Sequence, residues 1–175
     1  LLDIDARVAR AVTTRPPAGR EQTLGAQTAL TVTQNSRLGV NFANYYINGN
    51  GPRAYAHMRA AGVRHERITF NMNAIEKPGN DLFDWSAYDL LISDAAAENI
   101  EVLGVLIAPS DFAKRSCAAS VFGVPINLDR PWDDPLNYWA QFVHAAALRY
   151  KDSVHAWEVW NEPNFTSFWC GTAQE

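Results

Sequence analysis

The chain has 175 residues, 47% of them hydrophobic and 11% aromatic, enough for one globular domain with a core. A net charge of −4, only 19% charged residues and no basic stripe argue against a nucleic-acid partner. No apolar run approaches the roughly 20 residues that a membrane-spanning helix needs, so no membrane partner is expected. The chain opens at Leu1 rather than Met, with no hydrophobic signal segment before it, and is expected to be a processed chain or a fragment. Six Trp and six Tyr are many for this length; core packing and sugar-stacking platforms both remain open as reasons.

Residues 1–37 show no sustained hydrophobic period and include the loop-forming run Thr13-Thr14-Arg15-Pro16-Pro17-Ala18-Gly19. They read as an N-terminal extension, with a short helix over Leu2 to Val12, lying on a domain that occupies 38–175. Leu38-Gly39-Val40-Asn41-Phe42 is the first predicted strand. After the loop Asn48-Gly49-Asn50-Gly51, Pro52 suits the first turn of a helix. Tyr55, Met58 and Ala61 follow at helical spacing, and Gly62 stops the element. Val63 to Phe70 is the second predicted strand, unusually polar because it holds Arg64, His65, Glu66 and Arg67. Such groups cost stability inside an α/β domain unless they are paired, so this strand points to a site.

Asp84 is placed to cap the next helix, whose Tyr88, Leu91, Ile92, Ala95 and Ala96 keep a 3.6-residue period up to a stop at Asn99. Ile100 to Ala108 is almost continuously apolar, as in a parallel strand buried on both faces, and Pro109 closes it. A longer loop spans 109–133. Asp134 is expected to cap a helix with Pro135 at its first position, and Leu136, Trp139, Val143, Ala146, Ala147 and Tyr150 form the buried stripe. Val154 to Asn161 is the fourth predicted strand.

Strands alternating with helices of this length imply βαβ units and a parallel sheet. No Gly-x-Gly-x-x-Gly or Walker-type loop follows any strand, which disfavours a nucleotide fold. The loops after the strands are longer than those before them, the asymmetry of a barrel whose site lies at the C-terminal face. The expected fold is therefore α/β, a TIM-type (β/α)8 barrel. Such barrels need about 250 residues, so this one is read as an incomplete half barrel covering strands one to four, with the first and fourth strands as open edges.

The stretch Trp157-Glu158-Val159-Trp160-Asn161-Glu162-Pro163-Asn164 carries the chemistry. Val154, Ala156, Trp157, Val159 and Trp160 suit a buried strand, and Pro163 fixes its end. Glu162 is thus a carboxylate at the C-terminal end of a parallel strand, the usual catalytic position in a barrel. Alternation puts Ala156, Glu158, Trp160 and Glu162 on one side, and His65, Arg67 and Thr69 on one side of the second strand. A polar cluster of Arg67, His65 and Glu158 beneath Glu162 is expected; the alternative is that Arg67 and Glu158 face solvent separately.

Three stretches resemble clan A of the glycoside hydrolases, the retaining (β/α)8 enzymes that include families 5 and 39. They are Gly62-Val63-Arg64-His65-Glu66-Arg67-Ile68-Thr69-Phe70 with Ile75-Glu76 and Phe83-Asp84-Trp85-Ser86-Ala87-Tyr88-Asp89; Val102-Leu103-Gly104-Val105-Leu106 through Pro109 to Phe112-Ala113; and Trp157 to Asn164 with Phe168-Trp169. Together they lie within 38–170. The resemblance implies hydrolysis of O-glycosidic bonds in β-linked oligo- or polysaccharide by a retaining double displacement. It makes Glu162 the general acid/base, Asn161 a ligand of the sugar 2-hydroxyl, and Arg67 the support for the nucleophile's charge. His65 and Met72 stand where tryptophans are common, which bears on substrate choice.

A glycosidase needs one carboxyl that is protonated at working pH, and burial of Glu162 beside another acid would raise its pKa. A retaining enzyme needs a second carboxylate about 5–5.5 Å away. In clan A it follows the seventh strand, so the nucleophile is expected in the missing C-terminal half and this chain alone is expected to be inactive. Asp111 and Asp129, in mouth loops, read as solvated residues. Phe165, Phe168, Trp169 and Tyr45 or Tyr46 are the aromatics that could stack on sugars, with ordinary loop packing as the alternative; Phe165 and Trp169 are the substrate-binding candidates.

Cys117 follows the third strand and Cys170 the fourth, in neighbouring loops on one face. A disulfide between them, requiring Cα atoms within about 7 Å, would imply an extracellular or periplasmic setting; two unrelated thiols are the alternative. The four His have no metal-like spacing, and no metal or cofactor is expected. A non-catalytic carbohydrate-binding barrel is the second functional reading. A third, an α/β enzyme in which Glu162 only caps a turn, would leave Asn161 and Arg67 far from it.

Overall fold

A computed structural model describes residues 37–41, 51–76, 82–117, 122–172 and 174, with only the backbone of 51–53. All fall within one compact unit, Val32–Glu175. The expected N-terminal extension with its helix, and Tyr45 and Tyr46, lie outside the described residues.

In chain order the elements are β1 (Gly39–Asn41), α1 (Gly51–Ala60), β2 (His65–Asn71), a single helical turn α2 (Met72–Ile75), α3 (Ser86–Ala97), β3 (Glu101–Ile107), α4 (Tyr138–Arg149) and β4 (Ala156–Val159). The four strands form one sheet in the order β1-β2-β3-β4, and every pairing is parallel. The sheet is open: β1 and β4 are its edges. The barrel expectation is met at the level of an open parallel α/β sheet with helical crossovers.

Alternation along β2 sorts its residues cleanly. Glu66, Ile68 and Phe70 are buried, while His65, Arg67, Thr69 and Asn71 are half-buried on the other face. The buried face packs under the helices. Phe70 is the hub there, with its ring 4.8 Å from Tyr88 of α3, 5.4 Å from Tyr150 after α4 and 5.1 Å from Trp157 of β4. Gly104 makes room for this: a Cβ there would run into the Trp157 ring and come within 3.2 Å of Phe70. Trp85, Trp139 and Trp160 are buried and Trp157 and Trp169 pack against the core, so core packing accounts for five of the six tryptophans.

The helix ends follow local chemistry. Gly62 adopts φ 86, and Val63 N–H bonds the Met58 carbonyl while Gly62 N–H bonds that of Arg59, which is a Schellman motif ending α1. The same pair of bonds ends α3, with Ile100 bonding Ala95, Asn99 bonding Ala96, and Asn99 in the left-handed position at φ 54, as the sequence predicts. Between the two helices Arg59 and Glu98 form an ion pair at 3.2 Å.

Four expectations are corrected. Asp134 does not cap α4: its Oδ1 accepts from Leu136 N–H at 2.8 Å in a turn, and Asn137 caps the helix by accepting from Ala140 N–H at 3.2 Å. Leu136 is consequently outside the helix and exposed, and Phe142 takes a fully buried place in the stripe. Asp84 stands one residue before Trp85, which precedes α3, and accepts from the Ser86 N–H and hydroxyl at 3.2 and 2.6 Å. β4 is less buried than its apolar residues suggest, with Val159 64% exposed, because it is an edge of the sheet.

Candidate active site

On the face of the sheet away from the helices, β2 and β4 meet through an arginine. Arg67 Nε donates to Glu158 Oε2 at 2.9 Å and Nη2 to Glu158 Oε1 at 2.6 Å, a bidentate fork across the width of β3. Nη2 also donates to Asn161 Oδ1 at 2.9 Å. The hydrogen bonds from Arg67 hold the Glu158 carboxyl below its ordinary range. Arg67 in turn is made a firmer cation, first by its bonds to Glu158 and further by the charges of Glu158 and Glu162, against the opposing effect of burial.

The backbone turns sharply just past β4. Trp160 has φ 71 and Glu162 has φ 46, left-handed conformations that bulky residues rarely adopt and that cost about 1–3 kcal/mol each. They flank Asn161. This turn also corrects the parity argument: Trp160 leaves the face of Glu158 and packs among the helices, 5.5 Å from Trp139. Its indole N–H donates to the Phe168 carbonyl at 2.8 Å. Backbone bonds from Phe165 to Glu162, and from Phe168 and Trp169 to Phe165, fold the loop that follows. A disulfide between Cys117 and Cys170, with Cα atoms 6.1 Å apart, ties this loop to the one after β3.

A cleft of about 260 Å³ opens over the arginine, lined by Asn41, Arg67, Thr69, Asn71, Ile107, Phe122, Asn161 and Phe168. Phe122 and Phe168 stack there with centroids 5.3 Å apart. Thr69 and Asn71 share the parity of Arg67 and could have been read from the strand. Phe122 lies in a long loop without periodicity and gives no such signal.

The other expected residues fall as follows. Glu162 is exposed and is not among the residues lining the cleft, so the burial expected of it is not found. His65 is not at the arginine: it lies at the start of β2, with Nδ1 3.4 Å from Glu101 Oε2, its register partner on β3. Sharing a face did not bring it to Glu158, because it sits one layer lower than Arg67. Phe165 is exposed. Trp169 lines a separate cleft of about 490 Å³ with Val159, Trp160 and Pro163, so neither aromatic reaches the arginine cleft, where Phe168 stands instead. Asp111 pairs with Lys114 at 2.8 Å, and Asp129 borders another cleft in the loop after β3. Among the described residues no group of three or more His, Cys, Asp or Glu could hold a metal ion.

No protein-family model and no curated protein matches the sequence. Solved structures do match the fold. A family 39 glycoside hydrolase from the gut symbiont Bacteroides cellulosilyticus WH2 superposes with a TM-score of 0.57 at 20% identity, over 73% of this chain and 24% of that one. The chain is similar in fold to family 39 glycoside hydrolases. A further family 39 enzyme, from Xanthomonas axonopodis pv. citri, gives a TM-score of 0.52 at 24% identity, over 78% of this chain and 29% of that one. A monomeric β-xylosidase from Caulobacter crescentus CB15 gives 0.52 at 21%, over 75% and 29%. The chain thus spans between 24% and 29% of the length of these glycosidases.

Proposed function

We propose that this chain carries the first four strands of a (β/α)8 retaining glycosidase and supplies its general acid/base, Glu162, for hydrolysis of β-linked oligo- or polysaccharide. The observation that carries the reading is the hydrogen-bonded set Arg67–Glu158–Asn161 directly beneath the Asn161-Glu162-Pro163 loop. The charge of Glu162 also acts on Arg67, which argues against a turn-capping role that would leave the arginine far from Glu162. In this reading Glu162 protonates the leaving oxygen and then takes a proton from the water that releases the sugar. Asn161 hydrogen-bonds a sugar hydroxyl. Of the five N–H groups of an arginine, three on Arg67 are engaged by Glu158 and Asn161. The two on Nη1 are left to face the nucleophilic carboxylate, about 5–5.5 Å from the acid/base in such enzymes. The cleft lining contains no carboxylate among the described residues, and in this reading the nucleophile comes from the C-terminal half of the barrel.

The same observation, with Glu162 exposed, favours one second reading: a carbohydrate-binding barrel that has lost turnover. The Cys117–Cys170 disulfide supports an extracellular or periplasmic location. One assay separates the readings. The 175-residue chain alone should turn over no aryl β-glycoside, whereas the chain continued into a complete barrel should, and NMR should find the first-formed sugar in the β configuration. A complete barrel that binds sugar without turnover supports the binding reading, and release of the α anomer first contradicts retention.

A further inference from the structure

We propose that Glu158 is a positioning residue that acts through Arg67 to set which half of the Asn161 carboxamide faces the cleft. A guanidinium has N–H donors only, so the Asn161 atom 2.9 Å from Arg67 Nη2 must be the carbonyl Oδ1. The amide cannot flip without opposing two donors. Asn161 lines the cleft, and among the described residues nothing accepts from its Nδ2. The carboxamide therefore offers the cleft a donor pair, suited to an acceptor oxygen such as a sugar hydroxyl.

Arg67 alone would not secure this. Its side chain is long and has many rotamers, and a single bond to a neutral amide does not fix the guanidinium plane. Glu158 does so by taking Nε and Nη2 together, at 2.9 and 2.6 Å, which aims the second Nη2 proton at Asn161. Glu158 itself is absent from the cleft lining, so its influence on a ligand passes through the other two side chains. Alternation places it on the same face of the chain as Arg67, three residues before the amide it orients.

The identity of the ligand rests on the glycosidase reading; the relay does not. The test is the side-chain amide signal of Asn161 in the 15N-labelled 175-residue chain. In the wild type its two Nδ2 protons should resonate away from free-amide positions, because Oδ1 of the same carboxamide accepts from the guanidinium. In Glu158→Gln these should move toward free-amide positions, because the fork that aims Nη2 at Oδ1 is weakened. The backbone signals of β2 and β3 should stay in place. Arg67→Lys, which keeps the charge but not the fork, should do the same. If neither variant folds, acid titration of the wild type replaces them: the Asn161 amide should shift together with the Glu158 carboxyl signal. An Asn161 amide unmoved in a folded variant, or by protonation of Glu158, overturns the proposal. Titration of the complete barrel with methyl β-D-xyloside is a separate arm. If the amide responds to Glu158 but not to the xyloside, the relay stands and the glycosidase reading suffers.

Discussion

Glu66 lies on the helix-facing side of β2, almost fully buried, with the Tyr55 side chain of α1 against it. Burial raises its pKa to about 7, partly offset by a hydrogen bond with Tyr55. The folded state therefore holds this proton more tightly than the unfolded chain does. Its contribution to stability is complete below a pH of about 4.5, declines as pH rises toward about 7, and is constant beyond. Glu66→Gln keeps an acceptor for Tyr55 and cannot ionise. It should stabilise the chain at pH 8 by on the order of 1–3 kcal/mol and flatten the pH dependence; denaturant unfolding at several pH values reads both. Nothing in the sequence separated Glu66 from its neighbours His65 and Arg67 except alternation, and alternation was enough. It failed at Trp160, because it holds only while the backbone is extended, and a φ of 71 turns that ring to the other layer.

At the scale of the elements, β3 is the strand that both sheet neighbours and the helices press upon. Its run Glu101–Ile107 is apolar but for the first residue, and Gly104 is the one place where the Trp157 ring can lie against it. Gly104→Ala should cost about 1–3 kcal/mol by forcing that ring from its place, read as a lower denaturation midpoint with near-ultraviolet change at tryptophan. The order of strands and crossover helices was legible, since each helix ends in a Gly or Asn at the left-handed position or follows a clear apolar period. The start of α4 was not. Asp134, Pro135 and Asn137 all carry capping chemistry, and the choice among them was made by where Asn137 could also donate, to the Arg130 carbonyl at 3.0 Å. In the site, Arg67 and Glu158 could be paired from parity, whereas Asn161, of the opposite parity, was named only by the resemblance and reaches Arg67 after the turn at Trp160. Phe122 and the side of the loop taken by Trp169 depended on how the segments after β3 and β4 fold on each other, which no local pattern encodes.

For the molecule as a whole, the sheet is open at β1 and β4, and the arginine cleft faces the side where the described residues place no helix. The glycosidase structures that share this fold match 73–78% of this chain with only 24–29% of their own, so they are roughly three times its length. This suits a site whose second carboxylate is supplied from beyond the chain. In the proposed function Glu162 transfers the proton to the leaving oxygen. The most direct measurement is the hydrolysis of aryl β-glycosides graded by leaving-group acidity, in the complete barrel with and without Glu162→Gln. Poor leaving groups need the proton and should lose about 10²–10⁴-fold in kcat/KM, while strongly acidic phenols should lose far less in the glycosylation step. A loss of equal size across the series, or no loss, would contradict the assignment of Glu162 as the acid/base.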